Sequence, residues 1–237
     1  MSDHFATTHW SVVLAAGAGA SPEADRALEE LCATYWPPLY SYARRLGHDP
    51  DGAADLVQSL FASLLERGDL ANVDPAKGRF RAFLAACLRH HAANERARDG
   101  AARRGGGRPL ISLDRGDAER RHAIDPGHDV TPERLFERQW ALALLAEVLG
   151  RLRAEYAARG QERVFDALKA HLAGERDETY AEAGAALGMS EGAVKVSVHR
   201  LRARYAEALR AAVARTLADP AEIDGELRAL FDALGGG

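Results

Sequence analysis

The spacing of prolines constrains the fold of this chain more strongly than any other feature of its sequence. No proline occurs between Pro132 and Pro220, and this long stretch is rich in Ala, Leu, Arg and Glu. Proline is the strongest helix breaker, whereas these four residue types favour helix. Runs of alternating β-branched residues, which are typical of strands, are absent from the sequence. We therefore predict an all-α fold.

Apolar residues at helical spacing predict three helices in the first half of the chain. Ser21 can cap the first helix with Pro22 in its first position, and Pro37-Pro38 should bend or interrupt it. The second helix is expected from about residue 50 to residue 67, and the third from about residue 79 to residue 98. Both carry an apolar stripe at i, i+3, i+4 spacing, which indicates one buried face.

Residues 100–131 have the composition of a flexible linker, with three consecutive glycines at 105–107 and few bulky apolar side chains. Beyond them, helices are predicted at about 132–158 and 162–173, followed by two helices joined by a tight turn. The predicted organisation is two small helical domains joined by this linker. Its parts are an N-terminal extension (1–20), a first domain (21–99), the linker (100–131), a second domain (132–217) and an acidic amphipathic tail (218–237).

The net charge of −4 hides a strong segregation of charge along the chain. Residues 1–76 carry 4 basic and 11 acidic residues, whereas residues 77–108 carry 9 basic and 2 acidic residues. Residues 190–216 carry 6 basic and 2 acidic residues, and residues 217–237 carry 1 basic and 5 acidic residues. Two separate basic segments suit a protein that contacts a polyanion at two places, because each Lys or Arg near a phosphate releases condensed counterions. The alternative is a pair of solvated charged faces.

Several functional classes find no support in the sequence. Cys32 and Cys87 are the only cysteines and form no CxxC pair, which argues against structural zinc and a disulfide framework. Nucleophile-elbow, Walker, HExxH and dinucleotide motifs are absent. We expect no enzymatic activity, no metal and no cofactor. No run of 18 apolar residues occurs, so we expect no membrane partner and a cytoplasmic location.

The most specific local pattern runs from residue 179 to residue 204 and predicts a helix-turn-helix. Thr179 and Glu182 match a capping box, Gly188 can take a left-handed conformation in the turn, and Ser190 can cap the second helix. Periodicity buries Val194, Val198, Leu201 and Tyr205. The predicted DNA-contacting residues lie at the start of the second helix or off its buried stripe: Ser190, Glu191, Gly192, Lys195, Val196, His199, Arg200, Arg202 and Arg204. A helical hairpin that binds only protein is the alternative.

Taken together, these motifs resemble bacterial sigma factors of the extracytoplasmic-function type, within the sigma-70 family, over about residues 5–234. In the first domain the resemblance lies in the segments 36–40 (WPPLY), 55–61 (DLVQSLF) and 78–83 (GRFRAF). In the second domain it lies in 180–183 (YAEA), 187–195 (LGMSEGAVK) and 199–202 (HRLR). Such factors bind core RNA polymerase and direct it to promoter DNA. The resemblance also allows an anti-sigma factor or another regulator as a partner, and the alternative is a free-standing helix-turn-helix regulator that acts without polymerase.

The resemblance implies roles for two sets of residues in the first domain. The predicted polymerase-binding set is Asp55, Leu56, Gln58, Ser59 and Phe61, although periodicity places Phe61 in the core. The predicted set for the downstream promoter element is Arg79, Arg81, Arg89, His90, Asn94, Arg96 and Arg98. Residues 84–108 contain no Phe, Tyr or Trp to stack on melted bases, so only His90 and His91 offer rings there. Either histidine can equally be a surface or packing residue.

Two segments lie outside the recognised motifs. Residues 7–14 are apolar enough to form a short docking element. The acidic tail carries apolar residues at helical spacing, namely Ile223, Leu227, Leu230, Phe231 and Leu234, and predicts an amphipathic helix. This helix either packs on its own domain or covers a basic DNA surface until a partner releases it. The recognition region is the expected surface, because it lies immediately upstream in the chain.

Overall fold

A computed structural model describes residues 10–17, 21–74, 78–99, 131–172, 179–217 and 219–235. These residues form helices and turns without any strand, which confirms the all-α prediction. Among them, no helix combines the length and the apolar character that crossing a bilayer requires. The predicted linker lies outside the described residues except for Thr131, and so do the first nine residues of the predicted N-terminal extension.

The described residues fall into two compact units. The larger unit lies within residues 5–143 and 213–237, and the smaller unit within residues 144–212. Within the described residues the α-helices are α1 (Trp10–Ala16), α2 (Pro22–Arg45), α3 (Pro50–Glu66), α4 (Phe80–Asp99), α5 (Pro132–Ala158), α6 (Glu162–Leu168), α7 (Tyr180–Leu187), α8 (Glu191–Ala214) and α9 (Ile223–Gly235). The units therefore divide the chain within α5 and α8, rather than at the predicted domain limits. The functional domain limits stay predictions.

Helices α2 and α3 of the larger unit begin where the sequence predicts, whereas α1 is a helix that the sequence analysis does not predict. The Ser21 side chain accepts a hydrogen bond from the Ala24 amide at 3.1 Å, with Pro22 in the first turn of α2. Asp49 caps α3 in the same way, accepting from the Gly52 amide at 2.7 Å. Each cap satisfies one of the amide groups that the first turn of a helix leaves unpaired.

The prolines Pro37 and Pro38 do not interrupt α2, which runs through them from Pro22 to Arg45. Of the two outcomes predicted for this pair, a bend or an interruption, the interruption is therefore wrong. Proline removes a backbone donor and crowds the preceding turn, but tertiary packing can offset this cost. The aromatic residues Trp36 and Tyr40 on either side of the pair are at most 2% exposed and stack with their ring centroids 6.5 Å apart.

The core of the larger unit forms where α2, α3 and α4 pack together. It is built from fully buried side chains on each of these helices, including Leu39, Tyr42, Leu56, Val57, Leu84 and Leu88. The N-terminal helix α1 packs on α2 and on the 3₁₀ turn Asp69–Asn72, with Val13 fully buried. The described part of the N-terminal extension thus packs against the first domain.

The smaller unit contains the two helices joined by a tight turn that the sequence predicts. Thr179 and Glu182 form the capping box, with the Glu182 amide donating to Thr179 Oγ1 at 3.2 Å and the Thr179 amide donating to Glu182 Oε2 at 2.7 Å. Gly188 ends α7 in the left-handed region at φ 67°, and Ser190 Oγ accepts from the Ala193 amide at 3.2 Å. The hydrogen bonds from Thr179 lower the pKa of Glu182, because they favour its charged form.

The capping box gives a direct test of the local fold. Thr179→Ala should lower the free energy of unfolding of the smaller unit by about 1 kcal/mol, because the amide at the third position of α7 loses its acceptor. Thr179→Ser keeps the hydroxyl and should cost only a small fraction of that amount. Urea denaturation followed by far-ultraviolet circular dichroism measures both. An equal loss for the two variants would contradict the capping role of the hydroxyl.

Candidate protein and nucleic-acid interfaces

The predicted polymerase-binding residues on α3 do not share one surface. Asp55 is exposed, and Gln58 and Ser59 are half-buried. Leu56 is fully buried and Phe61 is 6% exposed, so both belong to the core between α3 and its neighbours. This corrects the prediction for these two side chains, because burying their apolar area stabilises the domain and leaves little of it for a partner. The packing interpretation of Phe61 is the one that the structure favours.

Ser59 joins α3 to α4 through a polar cluster. Its Oγ lies 2.8 Å from His91 Nε2, 2.9 Å from Glu95 Oε1 and 3.1 Å from the Leu56 carbonyl oxygen. His91 Nε2 is also 3.5 Å from Glu95 Oε1. The hydroxyl has one proton to donate, so His91 can complete the cluster by donating to Ser59. This geometry gives His91 a role in helix packing, whereas His90 is exposed.

The predicted downstream-element residues on and before α4 differ in accessibility. Arg89, His90 and Asn94 are exposed, and the Arg79 side chain is 38% exposed. The side chains of Arg96 and Arg98 lie outside the described residues. Arg89 Nη1 lies 3.7 Å from Glu133 Oε1, and Arg79 Nη2 lies 2.6 Å from Glu226 Oε2. The exposed members can reach a phosphate, but two of the arginines already face carboxylates of the same chain.

Arg81 is buried, with 2% of its side chain exposed. Its Nε donates to Glu137 Oε2 at 2.7 Å, its Nη1 is paired with Glu226 Oε1, and its guanidinium carbon lies 4.0 Å from the centroid of the Trp140 ring. Burial alone would lower the pKa of Arg81, but Glu137 and Glu226 raise it above its ordinary value. Arg81 is therefore not available to DNA in this structure, which corrects its predicted place among the accessible DNA contacts.

A cavity of about 560 Å³ lies beside the start of α4. It is lined by Asp69, Asn72, Val73, Asp74, Gly78, Arg79, Ala82 and Phe83. Phe83 is only half-buried, and its ring stacks on that of Phe80 at 5.8 Å. Phe83 lies immediately before residues 84–108, and the apolar periodicity of α4 assigns it to the inner face, so the sequence analysis does not predict it as a stacking residue. The sequence signal that could identify it is the GRFRAF segment, which lies where the acidic stretch of the chain gives way to the basic one.

In the smaller unit, three of the four residues of the predicted buried stripe of α8 are buried. Val194, Val198 and Leu201 are at most 2% exposed, whereas Tyr205 is half-buried, and this partial burial raises the pKa of Tyr205 to about 12. Val196 is 49% exposed, which is unusual for a large apolar side chain. A surface that combines cations with an exposed methyl group can contact phosphates and a thymine methyl. The exposed residues at the start of α8 and along its other face include Ser190, Glu191, Gly192, Lys195, Val196, His199 and Arg200.

Three of the predicted basic contacts already have partners within the smaller unit. Lys195 Nζ lies 2.7 Å from Glu191 Oε1, and this hydrogen bond raises the pKa of Lys195. Arg202 Nη2 and Nε donate to the carbonyl oxygen of His171, at 2.6 and 3.2 Å, and Arg204 is paired with Glu155. Lys195 is in an exposed i, i+4 pair that DNA can displace at little cost. Arg202 instead fixes the 3₁₀ turn Lys169–Leu172 to α8, so its contact is structural.

Comparison with known proteins identifies one part of the chain. No curated protein and no solved structure matches the chain. Residues 31–102 match the family model for Sigma-70 region 2, and this range covers most of α2 and all of α3 and α4. That domain implies interaction with core RNA polymerase and a part in transcription initiation. The match therefore supports assigning the chain to the sigma factors of the sigma-70 family.

Proposed function

We propose that this protein is a sigma factor of the extracytoplasmic-function type, which binds core RNA polymerase and directs it to promoters. The observation that carries the proposal is the Sigma-70 region 2 match over residues 31–102, followed along the chain by two capped helices with a basic exposed face. The chain is not itself an enzyme in this proposal, because polymerase supplies the catalysis. Its location is the cytoplasm, where polymerase and promoter DNA are found.

Each domain has a separate task in this proposal. The first domain binds polymerase through the exposed side of α3 around Asp55 and Gln58, and it contacts the downstream promoter element through α4. The second domain places the start of α8 in the major groove of the upstream element, where Lys195, Val196 and His199 are exposed. Residues 100–131 connect the two domains, and their glycine content suits an adjustable spacing.

The cavity beside α4 is the place that best suits a melted base. Opening a promoter exposes bases that must be held out of the duplex, and aromatic stacking with a nearby cation holds a base without strong sequence preference. Phe83 supplies a ring, Arg79 a cation, and Asp69 and Asn72 hydrogen-bonding groups. Residues 84–108, by contrast, offer only the rings of His90 and His91.

The proposal is tested by mixing the purified full chain with core polymerase. We expect the two to migrate together in size-exclusion chromatography, and we expect the mixture to start transcription at defined sites on genomic DNA. Failure of both would overturn the proposal. Specific DNA binding without polymerase binding would instead favour the free-standing helix-turn-helix regulator.

Arg200 provides a narrower test of the second domain. Arg200→Ala should weaken promoter binding severalfold and reduce the slope of log K against log salt by about 1, because one phosphate contact is lost. Lys195→Ala should act in the same direction, and binding to core polymerase should stay unchanged for both.

Arg163 is an exposed arginine of α6 in the same unit and serves as the control. Arg163→Ala removes the same charge from the same unit but should leave the salt slope unaltered. Fluorescence anisotropy over a range of salt concentrations measures the slopes. Equal slopes for Arg200→Ala and Arg163→Ala would contradict a DNA role for α8, and loss of both DNA and polymerase binding would indicate misfolding.

A further inference from the structure

Arg79, Arg81 and Arg89, the arginines of the downstream-element set whose side chains the structure describes, each face a carboxylate from beyond the predicted first domain. Arg79 and Arg81 contact Glu226, Arg81 also contacts Glu137, and Arg89 lies 3.7 Å from Glu133. The carboxylates come from two segments, the start of α5 and the C-terminal helix α9. All these residues belong to the larger unit. The basic surface that the proposed function assigns to promoter DNA is thus occupied by acidic groups of the chain itself.

Glu226 is the centre of this contact. It is fully buried, although it lies on a short C-terminal helix of an acidic tail. Leu230, one turn later, is 1% exposed, so the buried face of α9 combines an apolar anchor with a carboxylate. Burying a carboxylate is costly unless nearby cations compensate its charge. The two arginines supply that compensation, which makes the position of α9 specific.

The contact between Glu226 and its arginines resembles the one that a DNA phosphate would make. A carboxylate and a phosphate both present a pair of oxygens to the fork of a guanidinium group. A buried ion pair adds little net stability, because the cost of desolvation offsets the Coulomb attraction. A phosphate can therefore replace the carboxylate without a large penalty. To displace α9, promoter DNA must therefore supply a phosphate in place of the Glu226 carboxylate. Its other contacts, or those of polymerase, must offset the lost packing of α9.

We propose that α9 is an intramolecular cover of the DNA-contacting surface at the start of α4, with Glu226 in the place of a DNA phosphate on Arg79 and with Arg81 as the buried anchor of Glu226. The inference rests on the proposed sigma function, since it assumes that Arg79 meets promoter DNA. In this proposal α9 covers a surface of the first domain. From the sequence, the tail is instead expected to cover the recognition region of the second domain, which is adjacent in the chain. The free chain binds DNA weakly while the cover is closed, and it gains affinity when α9 leaves.

The test compares two glutamates of the same tail in the full-length protein. Glu226→Gln removes the buried carboxylate, and Glu222→Gln removes the same charge from an exposed residue just before α9. In fluorescence anisotropy with a labelled forked DNA duplex, Glu226→Gln should bind about fivefold tighter or more, with a salt slope steeper by about 1 for the phosphate contact that Arg79 gains. Glu222→Gln should stay within about twofold of the unaltered protein, as expected for a distant screened charge. Equal affinities for the two variants would overturn the cover.

A double variant tests whether the gain in DNA affinity depends on Arg79. Adding Arg79→Ala to Glu226→Gln should abolish most of the gain in affinity, because Arg79 is the more exposed of the two arginines. A gain that persists in the double variant would contradict the proposed contact. Circular dichroism of each variant shows whether it is folded before its affinity is compared.

Hydrogen exchange of the unaltered protein keeps the test independent of any substitution. Backbone amides of α9 should be protected in the free chain and should lose protection when the forked duplex or core polymerase is added. Unchanged protection in both complexes would overturn the cover. Failure of the proposed function has a different signature, namely no polymerase complex and no defined start sites with either the unaltered protein or Glu226→Gln. Normal initiation together with unchanged protection of α9 would contradict the proposal that α9 is a cover, but it would agree with the proposed sigma function.

Discussion

Arg81→Ala should lower the free energy of unfolding of the larger unit by about 3–5 kcal/mol. The substitution leaves Glu226, which is fully buried, with Arg79 as its remaining cation, and it removes the guanidinium from the face of Trp140. Removing the buried partner of a buried charge is among the most destabilising changes in a folded protein, and Arg79 is too exposed to replace Arg81 fully. All three tryptophans of the chain, at 10, 36 and 140, lie outside residues 144–212. Urea denaturation followed by tryptophan fluorescence therefore reports this loss selectively.

Two controls separate the charge from the packing. Arg79→Ala removes the partly exposed partner of the same glutamate and should cost about 1 kcal/mol or less, as exposed ion pairs do. Arg81→Met combined with Glu226→Met removes both charges and should recover most of the stability, since apolar residues of similar volume often replace buried ion pairs without loss. If Arg81→Ala lowers the free energy of unfolding no more than Arg79→Ala does, the proposed stabilising role of Arg81 beside the buried Glu226 is wrong.

Gly184→Ala should destabilise the smaller unit by about 1–3 kcal/mol and weaken promoter binding together with it. A Cβ atom on Gly184 would lie 2.7 Å from the carbonyl oxygen of Met189 and 3.5 Å from Val194 Cγ2. The nearer atom is backbone and belongs to the turn that positions α8, and the Met189 amide already donates to the Gly184 carbonyl at 2.8 Å. The turn must therefore shift, and the exposed start of α8 shifts with it.

Gly150 is the matched control for this substitution. It lies inside α5 in the same unit, and a Cβ atom there would meet nothing within 4 Å. Gly150→Ala should therefore raise stability by about 0.5–1 kcal/mol, since alanine favours helix over glycine. Far-ultraviolet circular dichroism follows both variants, and tryptophan fluorescence should change for neither. Stabilisation of the chain by Gly184→Ala would contradict the close approach of the turn to α7.

Local sequence patterns predict the helices well, because each boundary depends on residues next to it. The caps at Ser21, Thr179 and Ser190 form as expected, and α5 spans the predicted residues 132–158. At Pro37-Pro38 one of the two predicted outcomes is excluded, because α2 is not interrupted there. The aromatic packing around α2 is a tertiary effect that no local pattern contains.

The candidate sites are predicted less completely than the helices, because their accessibility depends on distant parts of the chain. Arg81 looks like a phosphate contact in sequence, but its buried guanidinium group pairs with Glu137 and Glu226, which lie far along the chain. Arg202 likewise meets the His171 carbonyl group, which is 31 residues away. Exposed charges such as Arg89 and Arg200 fit their predicted positions, since periodicity alone places them outside the buried stripe.

Sequencing the 5′ ends of transcripts made by core polymerase with and without the full chain tests the central claim most directly. We expect the added protein to create a discrete set of new start sites, each preceded by the same two upstream sequence elements. The Arg200→Ala variant should reduce initiation at those sites without creating others. Identical 5′ ends with and without the protein, under conditions in which another sigma factor directs initiation, would contradict the account.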